Sequence, residues 1–180
     1  MGIPKQITLV LGGVRSGKSG FAQQLAMDAL SVCYIATAQA TDAEMQLKIA
    51  RHQQERPRQW HTIEEPLDID RALIQNDHFD ILLVDCLTVF ASNLLLAEED
   101  AAVRELTTNK LCQALTAGRS SVVLVSNEVG SGVVPPYPLG RAYRDFLGEL
   151  NQRVAAIADN VVLMVAGLPL VLKGKLEHHP

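Results

Sequence analysis

The chain alternates short, wholly apolar runs with longer segments in which apolar residues recur at helical spacing. The first run, 7–11, is apolar and rich in branched residues, and it stops at two glycines. In the segment 18–30 that follows, apolar residues are three and four positions apart. Short continuous apolar runs are typical of strands buried on both faces of a parallel sheet. The pattern therefore predicts a buried strand at 7–11 and a helix at 18–30.

The same alternation continues to the end of the chain. Further strands are predicted at 32–36, 60–63, 81–86, 122–127 and 161–166, and further helices at 42–54, 67–74, 89–96, 101–117 and 140–158. Strands that alternate with helices indicate an α/β protein with a mainly parallel sheet flanked by helices. With 180 residues and no internal repeat, the chain is predicted to form one domain, 1–180.

The end of the chain has two features that bear on this prediction. The longest apolar stretch, 161–172, is interrupted by Gly167 and Pro169 and is shorter than a membrane span requires. The polar tail 173–180 is expected to fray.

Composition and charge narrow the classes of function. Hydrophobic residues make up 48% of the chain and charged residues 20%, which is typical of a soluble globular protein. Sixteen Lys and Arg against twenty Asp and Glu give a net charge of −4, which disfavours non-specific binding to nucleic acid. The three cysteines are widely spaced without a CxxC pair, and 1–6 has no apolar signal core. We therefore expect a cytoplasmic protein.

The strongest motif lies between the first predicted strand and helix. Gly12-Gly13-Val14-Arg15-Ser16-Gly17-Lys18-Ser19 matches G-x-x-x-x-G-K-[ST] at every fixed position. Glycines let successive backbone N–H groups point at phosphate oxygens, and the helix adds its positive end. Lys18 can then reach the β- and γ-phosphates, and Ser19 can ligate Mg²⁺. The motif indicates nucleoside triphosphate binding without identifying the reaction, and a chance glycine turn is the alternative.

An acid lies at the end of each of two predicted strands. Asp85 comes after four apolar residues, which place it at the carboxyl edge of the sheet, where ligands collect in such folds. It would hold Mg²⁺ directly or through water, or alternatively cap the turn before Leu87. Glu128 follows the strand 122–127 and would serve as a base, as a substrate anchor or as a turn former.

A histidine lies among cations near the end of the predicted helix 42–54. His52 is surrounded in sequence by Lys48, Arg51, Arg56 and Arg58. These residues form either a solvated basic face or a site that gathers phosphates, with His52 as nucleophile or general base. Nearby positive charge favours the neutral, nucleophilic imidazole. The other four histidines have no metal-ligand spacing, so no zinc site is predicted.

Further segments, taken with the phosphate loop, resemble one enzyme family. They are Tyr34-Ile35-Ala36-Thr37-Ala38, 42–45 leading to 49–52 and 56–57, 83–88, 126–135 and 144–155. Together they resemble the bifunctional adenosylcobinamide kinases/adenosylcobinamide-phosphate guanylyltransferases of cobalamin synthesis. The most specific pieces are Asn-Glu-Val-Gly…Val-Pro within 126–135 and Arg-Asp…Gly…Asn-Gln within 144–155.

The resemblance implies a P-loop NTPase fold of the RecA-like type and two consecutive reactions. A nucleoside triphosphate phosphorylates the aminopropanol hydroxyl of adenosylcobinamide, and GTP then donates GMP to give adenosylcobinamide-GDP and pyrophosphate. By motif position His52 carries the GMP in a covalent intermediate, and Lys18 is the other catalytic residue. A small-molecule kinase without guanylyltransferase activity and a non-catalytic GTP-binding switch are the alternatives.

The resemblance also implies a set of binding residues and partners. Nucleotide contacts beyond the phosphate loop are expected at Ala36, Thr37, Ala38, Gln53, Gln54, Glu55, Arg56, Glu64 and Asp85. Glu64 would accept hydrogen bonds from guanine, or else be a solvated neighbour of Glu65. Ser19 and Asp85 would hold Mg²⁺, with GTP, or ATP in the kinase step, as substrate. A homotrimer is expected. Because the chain is short, the corrinoid is expected to dock in a cleft shared between subunits, with 129–138 as a candidate wall.

Overall fold

The computed structural model describes residues 5–39, 46 and 56–176. The strands are β1 (Ile7–Gly12), β2 (Val32–Ala36), β3 (His61–Glu64), β4 (Ile81–Asp85), β5 (Ser121–Asn127), β6 (Asn160–Val165) and β7 (Leu168–Lys173). The helices are α1 (Lys18–Ala26), α2 (Ile69–Gln75), α3 (Leu87–Ala97), α4 (Ala101–Ala117) and α5 (Pro138–Ile157). The prediction of strands alternating with helices is confirmed in these residues. The predicted helix 42–54 lies outside them, except for Gln46.

The strands form one sheet in the order β3-β2-β4-β5-β1-β6-β7. The first six strands pair in parallel, and β7 alone runs antiparallel, against β6. Parallel strands end at a common edge of the sheet, so the carboxyl ends of β2, β4, β5 and β1 lie side by side. Ala36, Asp85, Asn127 and Gly12 end these four strands in that order. The mainly parallel sheet that the sequence predicts is therefore observed, and it places three predicted site residues, Gly12, Ala36 and Asp85, at this edge.

Helices cover both faces of the sheet. Along β1, Leu9 and Leu11 belong to the core that α2, α3, α4 and α5 cover, whereas Val10 belongs to the core beneath α1. Tyr34 and Trp60 lie in the second of these cores, beside Phe21 of α1. The burial of both faces explains why the central strands read as unbroken apolar runs. No helix in the described part of the chain is both long enough and apolar enough to cross a bilayer.

Strand β7 was not predicted from the sequence. Ala166 and Gly167 have φ angles of 51° and 83°, the left-handed conformation that a two-residue hairpin turn requires. The turn sends the chain back along β6, with Pro169 opposite Met164. A proline is tolerated there because β7 is the last strand of the sheet, where its missing N–H group breaks no ladder. The expected fraying therefore does not begin at Lys173, which is the last residue of β7.

The central strand β5 provides a test of the core. Leu124 is 0% exposed on a strand that pairs with both β4 and β1. We expect Leu124→Ala to lower the free energy of unfolding by about 2–5 kcal/mol, because it removes buried methyl groups and leaves a cavity. Urea denaturation followed by circular dichroism measures this change. The matched control is Leu30→Ala, since Leu30 is 99% exposed; a comparable loss in both variants would contradict the assignment of Leu124 to the core.

Candidate functional site

The phosphate loop is a tight connection between β1 and α1. Gly17 is the N-cap of α1 with φ 94°, and Arg15 has φ 56°. A Cβ atom on Gly12 would collide with Ser16 Oγ and would lie 2.8 Å from the carbonyl oxygen of Met164. The loop backbone therefore has room for glycine alone at position 12. The N–H groups at the start of α1, which follows the loop directly, are the groups that would bind an anion.

The backbone of the phosphate loop accepts hydrogen bonds from Lys18 and from the turn between β6 and β7. Lys18 Nζ donates a hydrogen bond to the carbonyl oxygen of Gly13 at 2.9 Å, so the lysine folds back over the loop. Ser19 lies half-buried in the first turn of α1. From the β6–β7 turn, Gly167 N donates to the carbonyl oxygen of Ser16 at 3.0 Å. The hairpin thus supports the loop from the side of β6.

Asp85 lies at the end of β4, half-buried at the carboxyl edge of the sheet. The Tyr34 hydroxyl donates a hydrogen bond to Asp85 Oδ2 at 2.7 Å. Burial, followed by the nearby Asp85 carboxylate, raises the pKa of Tyr34 above its usual range, so the phenol stays protonated and acts as the donor. Helix α3 begins at Leu87 with Cys86 as its N-cap. Asp85 therefore does not occupy the capping position of the next helix, while its role toward a metal stays a prediction.

Thr37 ties the ends of β2 and β4 together. Its hydroxyl donates to the carbonyl oxygen of Cys86 and accepts from Cys86 N, each at 2.8 Å, and the residue is 0% exposed. The Asn93 amide donates to the carbonyl oxygens of Thr37 and Pro66 at 2.9 and 3.2 Å. Sequence reasoning missed Asn93, although a lone amide in the apolar helix 89–96 was a signal. The predicted nucleotide contact at 36–38 stays a prediction, and the Thr37 hydroxyl makes both of these hydrogen bonds within the protein.

One of the predicted cations, Arg56, lies against Tyr34, and a second, Arg58, shares a cavity with it. The guanidinium of Arg56 stacks 3.8 Å from the centroid of the Tyr34 ring. Arg56 Nε is buried and has no hydrogen-bond partner among the described residues. A cavity of about 250 Å³ lies beside it, lined by Arg56, Pro57, Arg58, Trp60 and Thr62. Tyr34 therefore contacts a cation through its ring face and a carboxylate through its hydroxyl.

Glu64 and Glu65 have different surroundings. Glu64 ends β3 as an exposed residue paired with Ala36 of β2, at the carboxyl edge of the sheet. Glu65 Oε1 accepts hydrogen bonds from the backbone N–H groups of Leu67 and Asp68 at 3.1 and 2.8 Å, just before α2. Glu65 therefore has a structural role, and the guanine contact predicted for Glu64 stays a prediction.

The end of β5 carries a second polar group beside the phosphate loop. Glu128 Oε1 accepts a hydrogen bond from Gly130 N at 2.7 Å, which is the turn-forming role that the sequence allowed. Glu128 N donates to the carbonyl oxygen of Gly12, which fastens the loop to β5. Buried side-chain oxygens without a hydrogen-bond partner among the described residues include those of Ser16, Asn127 and Asn151. Buried polar atoms of this kind are costly unless a bound water or ligand completes them.

Several predicted site residues lie outside the described part of the chain. They are Lys48, Arg51, His52, Gln53, Gln54 and Glu55. The nucleophilic role of His52 and the nucleotide contacts at 53–55 stay predictions. Within residues 5–39, 46 and 56–176, no three His, Cys, Asp or Glu side chains lie close enough to hold a metal ion together.

Comparison with known proteins relates this site to one family. Residues 8–172 match the family model described as cobinamide kinase / cobinamide phosphate guanyltransferase. The chain is 45% identical to the bifunctional adenosylcobalamin biosynthesis protein CobP of Pseudomonas aeruginosa, over 93% of this chain and 97% of that protein. It is 42% identical to the bifunctional adenosylcobalamin biosynthesis protein CobU of Salmonella typhimurium, over 92% and 98%.

Solved structures relate the fold to P-loop NTPases. An ATPase from the type III secretion system of pathogenic bacteria aligns with a TM-score of 0.58 at 13% identity, covering 92% of this chain and 56% of that one. The RadB recombinase aligns with a TM-score of 0.50 at 17% identity, covering 89% and 74%. At these identities the likeness concerns the fold alone. The P-loop NTPase fold predicted from the sequence is therefore confirmed.

The crowding at Gly12 predicts a specific loss of nucleotide affinity. In Gly12→Ala the added methyl group meets Ser16 and the backbone of Met164, so the loop must shift. Overpacking costs about 1–3 kcal/mol, and we expect GTP binding to weaken about tenfold. Titration with a fluorescent GTP analogue measures the affinity. Gly13→Ala is the control, because a Cβ there has no described heavy atom within 4 Å; equal affinities for the two variants would contradict the crowding argument.

Proposed function

The chain belongs to the cobinamide kinase / cobinamide phosphate guanyltransferase family, and from this premise we propose that it carries out both reactions. It phosphorylates adenosylcobinamide with a nucleoside triphosphate and then transfers GMP from GTP to the product. The observation that carries the proposal is the phosphate loop after β1, which lies at the same sheet edge as Asp85 in a chain of this family. The product, adenosylcobinamide-GDP, is an intermediate of cobalamin synthesis.

In the kinase step the phosphate loop holds the triphosphate. The substrate hydroxyl oxygen forms a bond to the γ-phosphorus while the bond from that phosphorus to the bridging oxygen breaks, and the hydroxyl proton passes to solvent. Lys18 Nζ leaves the carbonyl oxygen of Gly13 to bind the β- and γ-phosphates, and the N–H groups at the start of α1 bind phosphate oxygens. These groups stabilise the negative charge that the transferring phosphoryl group carries.

Ser19 and Asp85 fit the requirements of a Mg²⁺ site. Hydroxyl and carboxylate oxygens are the ligands that Mg²⁺ prefers, and the ion usually keeps several waters. Ser19 lies in the first turn of α1 and Asp85 ends β4, with Oδ2 already held by Tyr34. When bound, Mg²⁺ would neutralise charge on the β- and γ-phosphates.

In the second step His52 acts as the nucleophile. An imidazole nitrogen forms a bond to the α-phosphorus of GTP while the bond to pyrophosphate breaks. A phosphate oxygen of adenosylcobinamide-phosphate then displaces the histidine, which splits one transfer into two easier ones. Arg56, four residues further along the chain, supplies positive charge near the transferring group.

The proposal extends to the assembly and to the compartment. All six residues of β7 are exposed, among them Leu168, Leu170 and Leu172. An apolar strand at the edge of a sheet is a template for pairing with another chain, which supports the homotrimer that the family resemblance implies. The segment 129–138 exposes Val133 and Val134 and would form one wall of a corrinoid cleft. The three cysteines are free thiols, in keeping with a reducing cytoplasm.

A labelling experiment tests the two steps separately. Incubation with GTP, Mg²⁺ and adenosylcobinamide, followed by mass analysis of the corrinoid, is expected to give first the phosphate and then the GDP derivative. His52→Ala is expected to stop at the phosphate and to take no label from α-³²P-GTP, because the P–N bond cannot form. Lys18→Ala is expected to lose most of the kinase step while keeping its α-label.

The control for this experiment is His61→Ala, since His61 is an exposed histidine stacked on Phe79. Undiminished α-label in His52→Ala would remove His52 from the mechanism. Phosphate without any GDP product from the unmodified enzyme would favour a kinase that lacks the transferase step. GTP binding with no change in corrinoid mass would favour a non-catalytic switch.

The exposed face of β7 predicts an effect on assembly. Residues 168, 170 and 172 share one side of the strand, and Leu170 is 54% exposed. We expect Leu170→Glu to convert the trimer to a monomer, because a charge would be buried unpaired in the interface. Light scattering after size-exclusion chromatography measures the mass. Ile74→Glu on α2, where Ile74 is 66% exposed, is the control; a trimer that survives in both variants would contradict assembly through β7.

A further inference from the structure

Tyr34 contacts two charged groups that the proposed function uses. Its hydroxyl donates to Asp85 Oδ2 at 2.7 Å, and the guanidinium of Arg56 lies 3.8 Å from its ring centroid. Tyr34 is 1% exposed, so both contacts are made by a buried side chain. A buried aromatic ring therefore carries the hydroxyl that donates a hydrogen bond to the carboxylate at the edge of the sheet.

The fold holds the tyrosine rigidly. Tyr34 lies in β2, where it is paired with Leu83 of β4, and Ala36, two residues later, is paired with Asp85. The ring is thus one step inside the sheet edge, in the same core as Phe21, Trp60 and Val123. With neighbours on its own strand, on β4 and on α1, the phenol has little freedom to turn. The position of the hydroxyl is set by the backbone of two adjacent strands.

A carboxylate at a sheet edge lacks this rigidity by itself. An aspartate side chain can rotate about its Cα–Cβ and Cβ–Cγ bonds, and a ligand that must rotate into place binds a cation less well than one that is already oriented. A hydrogen bond from a fixed donor to one carboxylate oxygen removes that rotation. It also leaves the second oxygen, Oδ1, to ligate a cation. Groups that orient metal ligands in this way strengthen metal binding.

We propose that Tyr34 is a positioning residue for the kinase step, fixing Asp85 through Oδ2 so that Oδ1 is oriented toward the nucleotide-bound Mg²⁺. This inference rests on the proposed function, in which Asp85 ligates that ion. The hydroxyl, and not the ring, carries the role, since phenylalanine would fill the core equally well. Arg56 supports the arrangement, because its guanidinium lies over the face of the Tyr34 ring, 3.8 Å from the centroid, and restrains the ring there.

The test separates metal binding from nucleotide binding. Tyr34→Phe keeps the ring and its stack with Arg56 but loses the hydrogen bond to Asp85. In the GTP-bound enzyme we expect Mn²⁺ affinity, measured by electron paramagnetic resonance, to fall about tenfold. The affinity for a fluorescent GTP analogue in the presence of a chelator is expected to stay unchanged. A purely structural role would instead lower both affinities together with the unfolding temperature, and that result would overturn the proposal.

The control variant is Tyr143→Phe, which also removes a tyrosine hydrogen bond, but one to the carbonyl oxygen of Thr88 at 3.2 Å and not to Asp85. It is expected to leave Mn²⁺ affinity unchanged, and an equal loss in this variant would overturn the proposal. Asp85→Asn supplies the other side of a double-mutant cycle. If Tyr34 acts through Asp85, then Tyr34→Phe has no further effect on Mn²⁺ affinity in the Asp85→Asn background.

The remaining outcomes separate the role of Tyr34 from the proposed function. Weak Mn²⁺ binding in Asp85→Asn together with normal binding in Tyr34→Phe would overturn the role of Tyr34 and leave the proposed function standing. Normal Mn²⁺ binding in Asp85→Asn would remove Asp85 from the metal site, and the role of Tyr34 would fall with it. Additive losses in the double variant would show that Tyr34 acts by a route other than Asp85.

Discussion

The whole site depends on the parallel pairing of four central strands that are buried on both faces. Because β2, β4, β5 and β1 run in the same direction, their last residues meet at one edge, and the chain turns from strand to helix or loop there. Neighbouring strands lie about 5 Å apart, so residues far apart in sequence become near neighbours. The phosphate loop and Asp85 both lie at this edge because of the arrangement, and Glu64 ends the neighbouring strand β3 beside it. The apolar runs that form the strands are thus also what assembles the polar site.

Local sequence patterns predicted the elements that depend on neighbouring residues in the chain, namely the phosphate loop and the buried strands. The phosphate loop has its glycine at position 12 because the backbone of Met164 and the Ser16 side chain leave no space for a Cβ atom. The motif requires a glycine at this position. The buried strands are equally visible, because burial on both faces demands continuous apolar runs. Asp85 was placed at the edge of the sheet by the same argument. The site residues whose position follows from the residues alone, the phosphate loop and Asp85, are those set by one strand and its next turn. His52, the contacts at 53–56 and Glu64 were implied by the family resemblance and stay predictions.

One feature that sequence reasoning missed arises from a contact between distant segments. Thr37 and Cys86 are 49 positions apart, and their pair of hydrogen bonds exists only once β2 and β4 are paired. The strand β7 was hidden for a different reason. Pro169 argues against a strand, and only an edge position removes the objection. The two-residue turn before it uses Ala166 at positive φ, where asparagine or glycine would have been the recognisable signal.

The contact between Gly167 and Ser16 has a consequence for how the enzyme would respond to its own concentration. The turn that donates this hydrogen bond belongs to the same hairpin as the exposed strand β7. If a second copy docks on β7, as proposed, it contacts the hairpin whose turn is hydrogen-bonded to the phosphate loop. Thermodynamic reciprocity requires that if assembly tightens nucleotide binding by some factor, then the nucleotide tightens assembly by the same factor. Dilution would then weaken nucleotide binding, and a fall in nucleotide concentration would weaken assembly.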